Sequence, residues 1–141
     1  MKYFIVILAL IALVQADDWS PKTVDEVKSI RENCAKDIPA SDEEFHKRKE
    51  NDYPDVASVR NYVLCTAKEW GIYDEGKGYN ADRIAQQLKG DLSEDEIKAI
   101  VHDCDEKTKE DADDEKAFHI LKCLCTSKIG EAVKQFLHKS E

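Results

Sequence analysis

Apolar residues recur along this chain at intervals of three and four, the period of a helix, and nowhere alternate with polar ones as a half-buried strand requires. Val59, Tyr62, Val63, Thr66 and Trp70 follow the i, i+3, i+4, i+7, i+11 spacing and predict a central helix over about Ala57 to Trp70. Gly71 comes next, where a left-handed residue ends a helix at least cost. Upstream, Thr23 to Glu26 (TVDE) is a capping box, and Val24, Val27, Ile30, Cys34 and Ile38 give an amphipathic helix ending near Pro39. A second box, Ser41 to Glu44, opens a short polar helix whose single large apolar anchor is Phe45. Tyr53-Pro54 breaks the chain before the central helix.

Beyond it, Gly76 and Gly78 mark a turn, and Asn80 caps a helix over Ala81 to Lys89 that Gly90 ends. Ser93 to Glu96 (SEDE) is a third box, followed by Ile97, Ile100, Val101 and Cys104 on one face. The charged run Asp105 to Lys116 reads as a loop. The last long helix carries Ala117, Phe118, Leu121, Leu124, Cys125 and Ile129; Gly130 is the expected interruption, with Val133, Phe136 and Leu137 in a short amphipathic tail. The pattern predicts an all-α fold, a compact bundle of six to seven short helices, several too short to be stable alone.

The first residues change the picture of where the chain goes. Lys2 precedes an apolar run from Tyr3 to Val14, too short to span a bilayer, and Val14 and Ala16 suit cleavage before the charged Asp17 and Asp18. Residues 1–16 therefore read as a signal peptide and 17–141 as one secreted helical domain of 125 residues. Loss of Lys2 takes the net charge from -9 to -10. Such acidity argues against nucleic acid or an anionic membrane as partner, because both need clustered Lys and Arg.

Five cysteines, Cys34, Cys65, Cys104, Cys123 and Cys125, then enter an oxidising compartment, where pairing is the default and one must be left over. Four cysteines allow three connectivities, and spacing does not choose among them. Cys123 and Cys125 stand about 200° apart on a helix, so they are poorly placed to pair with each other.

These residues resemble the insect odorant-binding proteins, the pheromone and general odorant-binding family, in its four-cysteine "minus-C" branch. Cys34, Cys65, Cys104 and Cys123 match the first, third, fourth and sixth cysteines of the six-cysteine pattern. Asn61 stands at the second position and Asp114 at the fifth, so the two absences amount to one missing bridge. GIYDEGKGYN resembles the turn before the family's fourth helix and DEKAFHILKC its sixth-helix motif, and the likeness covers essentially the whole mature chain. It implies pairing of Cys34 with Cys65 and Cys104 with Cys123, each closure contributing roughly 3 to 4 kcal/mol in the chain-entropy model. Cys125 departs from the pattern, and a buried free thiol is expected there in preference to the alternative, an intermolecular bridge.

The resemblance further implies helices around an apolar cavity and a non-enzymatic, extracellular carrier of small hydrophobic molecules: odorants, pheromones or fatty-acid-like lipids. The implied partners are such a molecule and a chemosensory receptor, with no cofactor, no metal and no stable membrane insertion. Ile30, Tyr62, Val63, Trp70, Leu88, Ile97, Ile100, Val101, Phe118, Leu121 and Phe136 are the helix-face residues that either line this cavity or pack beside it. For the tail Glu131 to Glu141, closure over the cavity with loosening as His102, His119 or His138 charges competes with a tail docked without switching. The alternative function is a secreted helical interaction protein with no cavity ligand. Other chemistry is not encoded: the acid-rich stretches lack the EF-hand spacing, and no zinc-ligand arrangement or nucleophile elbow occurs.

Overall fold

The computed structural model describes residues 19–38, 53–90, 92–109 and 112–138. The leader assigned to residues 1–16 and the polar helix expected from Ser41 lie outside those residues. Within them the chain forms α1 (Val24–Asp37), α2 (Ala57–Trp70), β1 (Tyr73–Asp74), β2 (Gly78–Tyr79), α3 (Ala81–Gln87), α4 (Glu94–Lys107), α5 (Asp113–Cys125) and α6 (Lys128–His138). The fold is an all-α bundle with two disulfides, Cys34–Cys65 and Cys104–Cys123, and Cys125 unbonded.

Local chemistry accounts for the helix starts. At α1 both halves of the capping box form: the Glu26 amide donates to Thr23 Oγ1 at 3.2 Å, and the Thr23 amide to Glu26 Oε2 at 2.7 Å. Asn80 Oδ1 accepts from the Arg83 amide at α3. At α4 only the forward half forms, with the Glu96 amide donating to Ser93 Oγ; the Glu96 carboxylate instead meets Lys128 Nζ of α6 at 2.8 Å. Gly71 ends α2 at φ 87°, its amide donating back to the Ala67 and Lys68 carbonyls.

Three expectations are corrected. Most of the described residues of the charged run Asp105 to Lys116 are helical: α4 continues to Lys107, supported by His102–Glu106 and Lys107–Asp103 pairs one turn apart, and α5 begins at Asp113 with three carboxylates against its positive end. The helix break falls at Thr126–Ser127, and Gly130 lies inside α6, where it lets α6 turn tightly off the end of α5. The turn after α2 is an antiparallel hairpin pairing Tyr73 with Tyr79 and Asp74 with Gly78, its two-residue strands too short for any alternation to show in sequence.

That hairpin is tied to α5. Asp113 Oδ1 accepts from the Tyr73 hydroxyl at 2.8 Å and the Gly76 amide at 3.0 Å, and these bonds hold the carboxyl below its ordinary range. The Tyr79 hydroxyl donates to the Ala117 carbonyl at 2.9 Å, and the two tyrosine rings meet edge to face.

Helix α5 is the centre of the bundle because it feeds two apolar clusters. Its Ala117 and Phe118 join Cys34, Val59, Tyr62, Val63 and Ala67 of α1 and α2, while Ile120 and Leu124 join Ile84, Leu88, Ile97, Val101 and Cys104 of α3 and α4. Ile72 and Tyr79 touch both clusters. No helix among the described residues is long and apolar enough to cross a membrane.

Candidate functional site

Where the two clusters face each other they leave a cavity of about 320 Å³. Helix α1 brings Val27 and Arg31 to it, and α2 brings Tyr62, Val63, Thr66, Ala67 and Trp70. Ile84, Gln87 and Leu88 come from α3 and its end, and Leu121, Leu124 and Cys125 from α5. Ile129, Gly130, Val133, Lys134 and Leu137 make α6 a wall of the cavity, and Tyr53, Ile72 and Tyr79 complete the described lining. Aliphatic and aromatic carbon dominates, with a few polar groups, the usual make-up of a small-molecule site.

Most of those polar groups are committed to the protein. The Thr66 hydroxyl donates to the Tyr62 carbonyl, and Tyr79 is occupied by Ala117; burial pushes the Tyr79 phenol far up. Gln87 Oε1 accepts from Trp70 Nε1 at 2.9 Å and the Lys22 amide at 2.8 Å, while Gln87 Nε2 donates to the Lys22 carbonyl. The segment before α1 is thereby strapped over this end, and Trp19 adds a bond from Nε1 to the Trp70 carbonyl at 2.8 Å. Arg83 sits over the Trp19 ring and donates to the Gly71 carbonyl, so the strap and the end of α2 are joined.

Arg31 marks the other polar point. Its Nε donates to the Tyr62 hydroxyl at 3.2 Å and its Nη2 approaches the Tyr53 hydroxyl at 3.5 Å. Burial pushes the Tyr53 phenol up to about 12, so it is a neutral O–H group at ordinary pH. Cys125 corrects an expectation: it has accessible surface and borders the cavity, and enclosure by protein pushes its thiol up, against ready ionisation.

Of the residues singled out from sequence, Tyr62, Val63, Trp70, Leu88 and Leu121 line the cavity. The other six pack elsewhere. Ile97 and Val101, with Ile100 beside them, belong to the α3–α4–α5 core, and no described residue of α4 reaches the cavity. Phe118 is only 1% exposed and fills the cluster behind Tyr62 with Lys122 over its ring. Ile30 packs on that same cluster while Val27 and Arg31 face the cavity. The Phe136 ring lies 6.2 Å from that of Trp70, outside the described lining. Periodicity identifies an inward stripe but not whether void or another helix lies opposite it. The contribution of α6 carried a signal, since Ile129, Val133 and Leu137 are spaced by four; Arg31, Gln87 and Lys134 carried none.

The bundle and its cavity define a disulfide-stapled helical protein with room for a small apolar molecule. The sequence profile of the PBP/GOBP family matches residues 16–127, and the chain belongs to that family. It is 32% identical over 140 residues to general odorant-binding protein 99b of Drosophila melanogaster, covering 92% of this chain and 94% of that one. General odorant-binding protein 99a of the same fly is 27% identical over 143 residues, covering 99% and 100%. A crystal structure of odorant-binding protein 22a from Anopheles gambiae shares the fold, with a TM-score of 0.60 at 21% identity over 76% of this chain and 99% of that one.

Proposed function

We propose that this protein is a secreted, non-enzymatic carrier that takes up odorants, pheromones or fatty-acid-like lipids reversibly in the cavity and releases them unchanged, in the service of a chemosensory receptor or of lipid transport. The observation that carries the reading is the 320 Å³ apolar cavity walled by α1, α2, α3, α5 and α6. At roughly 30 Å³ for each water-sized unit it holds on the order of ten heavy atoms. Burial of the ligand's carbon supplies the affinity at about 25 cal/mol per Å² of area removed from water. Saturable uptake of a fluorescent apolar probe, displaced by volatiles or lipids of about that size, is the expected result. A protein that takes up no probe at any concentration would instead be acting through its surface.

The chain also fits the branch of the family that lacks one bridge. Support comes from the α2–α5 contact, where Arg60, beside Asn61, meets the Asp114 carboxylate at 3.4 Å and also pairs with Asp55 at 2.8 Å. An ion pair thus stands near the position of the missing link. Cysteines placed at both sites, Asn61→Cys with Asp114→Cys, are expected to oxidise to a third disulfide without refolding the bundle, as read by mass spectrometry under denaturing, non-reducing conditions. Two thiols that stay free under oxidising conditions would count against this assignment.

A further inference from the structure

Helix α3 is held in the cavity wall by a different kind of link from its neighbours. Helices α1 and α2 are joined by Cys34–Cys65 and α5 is joined to α4 by Cys104–Cys123, whereas α3 has seven residues and no cysteine. A helix that short is not stable by itself. Its apolar side is fixed, because Ile84, Ala85 and Leu88 pack with Ile97 and Val101 of α4. Towards the end of α2 the links are polar: Arg83 Nη1 donates to the Gly71 carbonyl at 2.6 Å, and Trp70 Nε1 to Gln87 Oε1 at 2.9 Å.

The segment before α1 closes over this same seam. One side chain clasps Lys22 twice: the Lys22 amide donates to Gln87 Oε1 at 2.8 Å, and the Lys22 carbonyl accepts from Gln87 Nε2 at 2.9 Å. The Trp19 indole donates to the Trp70 carbonyl at 2.8 Å, with the Arg83 guanidinium 5.4 Å from its ring centre. A Cβ on Gly71 would stand 2.6 Å from Trp19 Cδ1 and Nε1, so the missing side chain there makes the seat for the indole. Trp19 and Lys22 are half-buried, Ser20 and Pro21 are exposed, and none of the four belongs to either apolar cluster. Undocking this strap therefore exchanges hydrogen bonds for bonds to water and breaks into neither cluster.

Gln87 and Trp70 belong to both structures, since each lines the cavity and each fastens the strap. We propose that the strap is the gate of the cavity and Gln87 its latch: ligand passes between the ends of α2 and α3 when the Lys22 clasp and the Trp19–Trp70 bond open, and their closure restores the wall. The proposal rests on the carrier reading and adds to it the route of exchange. Gln87 is a positioning residue in this role, acting through the strap. A gate sets how fast ligand passes and not how well it fits, because the bound state is closed in either case. Its signature is a change in association and dissociation rates by the same factor at constant Kd.

The test is stopped-flow fluorescence of N-phenyl-1-naphthylamine mixed with excess purified protein at pH 7.5. The slope of the observed rate against protein concentration gives association and the intercept gives dissociation. Gln87→Met keeps the length of the side chain and removes the clasp and the Trp70 bond; both rates are expected to rise about tenfold while Kd stays within about twofold. Trp19→Phe keeps a ring in the Gly71 seat and removes one donor; both rates are expected to rise about fivefold. Trp19 is not among the described lining residues, so a contact with ligand does not account for that rise. Circular dichroism checks that the variants are folded at the temperature used, and if Gln87→Met is not, Trp19→Phe carries the test alone. Rates in Trp19→Phe equal to those of the unmodified protein would overturn the proposal. So would a Gln87→Met protein in which dissociation alone rises and Kd rises with it, the mark of a residue that touches ligand without gating it. If the unmodified protein takes up no probe, the carrier reading fails and the gate with it; normal uptake with unaltered Trp19→Phe rates removes the gate alone.

Discussion

Gly130→Ala is expected to lower stability by about 2 to 3 kcal/mol, in the overpacking range, and to lower the melting temperature by roughly 10 °C. Helix propensity alone gives the opposite sign, because Gly130 lies within α6 and alanine is the better helix former by about 1 kcal/mol. Space decides between them. A Cβ on Gly130 would overlap the Cys125 carbonyl oxygen and lie 2.8 Å from the carbonyl carbon and 2.9 Å from Cα of the same residue. These are backbone atoms at the end of α5, so no change of rotamer relieves the clash and α6 must move as a body. Ile129, Val133 and Leu137 on that helix form part of the cavity wall, and their displacement is expected to weaken probe uptake along with the fold. Thermal unfolding followed by circular dichroism checks the first effect and a probe titration the second. A melting temperature equal to or above that of the unmodified protein would show that the close approach of α6 to Cys125 is not kept in solution.

The same glycine shows where sequence reasoning stopped short. A glycine inside an apolar stripe weakens a helix by about 1 kcal/mol relative to alanine, which makes an interruption there a reasonable expectation, although an isolated glycine is often tolerated. Here the interruption lies at Thr126–Ser127, where the Ser127 hydroxyl bonds to Leu124, and Gly130 serves the crossing that follows. The starts of α1, α3 and α4 were readable because their signals are local: Thr23, Asn80 and Ser93 each accept from an amide three residues on. Gly71 was readable for the same reason.

The cavity was only half readable because it is a property of pairs of helices. Ile97 and Tyr62 both occupy inward positions, yet Ile97 meets α3 and α5 while Tyr62 borders empty space. Nothing in their own helices distinguishes them. Charge was misleading in the same way. Asp105 to Lys116 reads as loop because charged residues crowd there, but among the described residues Glu106 and Lys107 pair along α4, and Asp113, Asp114 and Glu115 lie at the positive end of α5. Composition reports how polar a segment is, and the arrangement of its charges reports whether it can be helical.

The two disulfides are expected to separate stability from ligand uptake. Removing Cys34–Cys65 as the double alanine variant should cost about 4 kcal/mol and removing Cys104–Cys123 about 3 kcal/mol in the chain-entropy model, given sequence separations of 31 and 19. Alanine is the replacement of choice because Cys34 and Cys104 are buried and a serine hydroxyl there would add its own desolvation cost. On stability alone the two variants are nearly alike. Their positions relative to the cavity differ. Cys104 sits on α4, from which no described residue reaches the cavity. Cys34 sits one turn beyond Arg31 on α1 and ties that helix to α2, whose Tyr62 receives the Arg31 bond. At its other end α1 is approached by the Trp19 and Lys22 strap, so loss of Cys34–Cys65 frees the half of the helix that carries Arg31. At a temperature where both variants remain folded, probe uptake is expected to fall several-fold in Cys34→Ala with Cys65→Ala and to hold in Cys104→Ala with Cys123→Ala. Equal losses of uptake in the two would mean that the cavity depends on the bundle as a whole and not on the anchoring of α1.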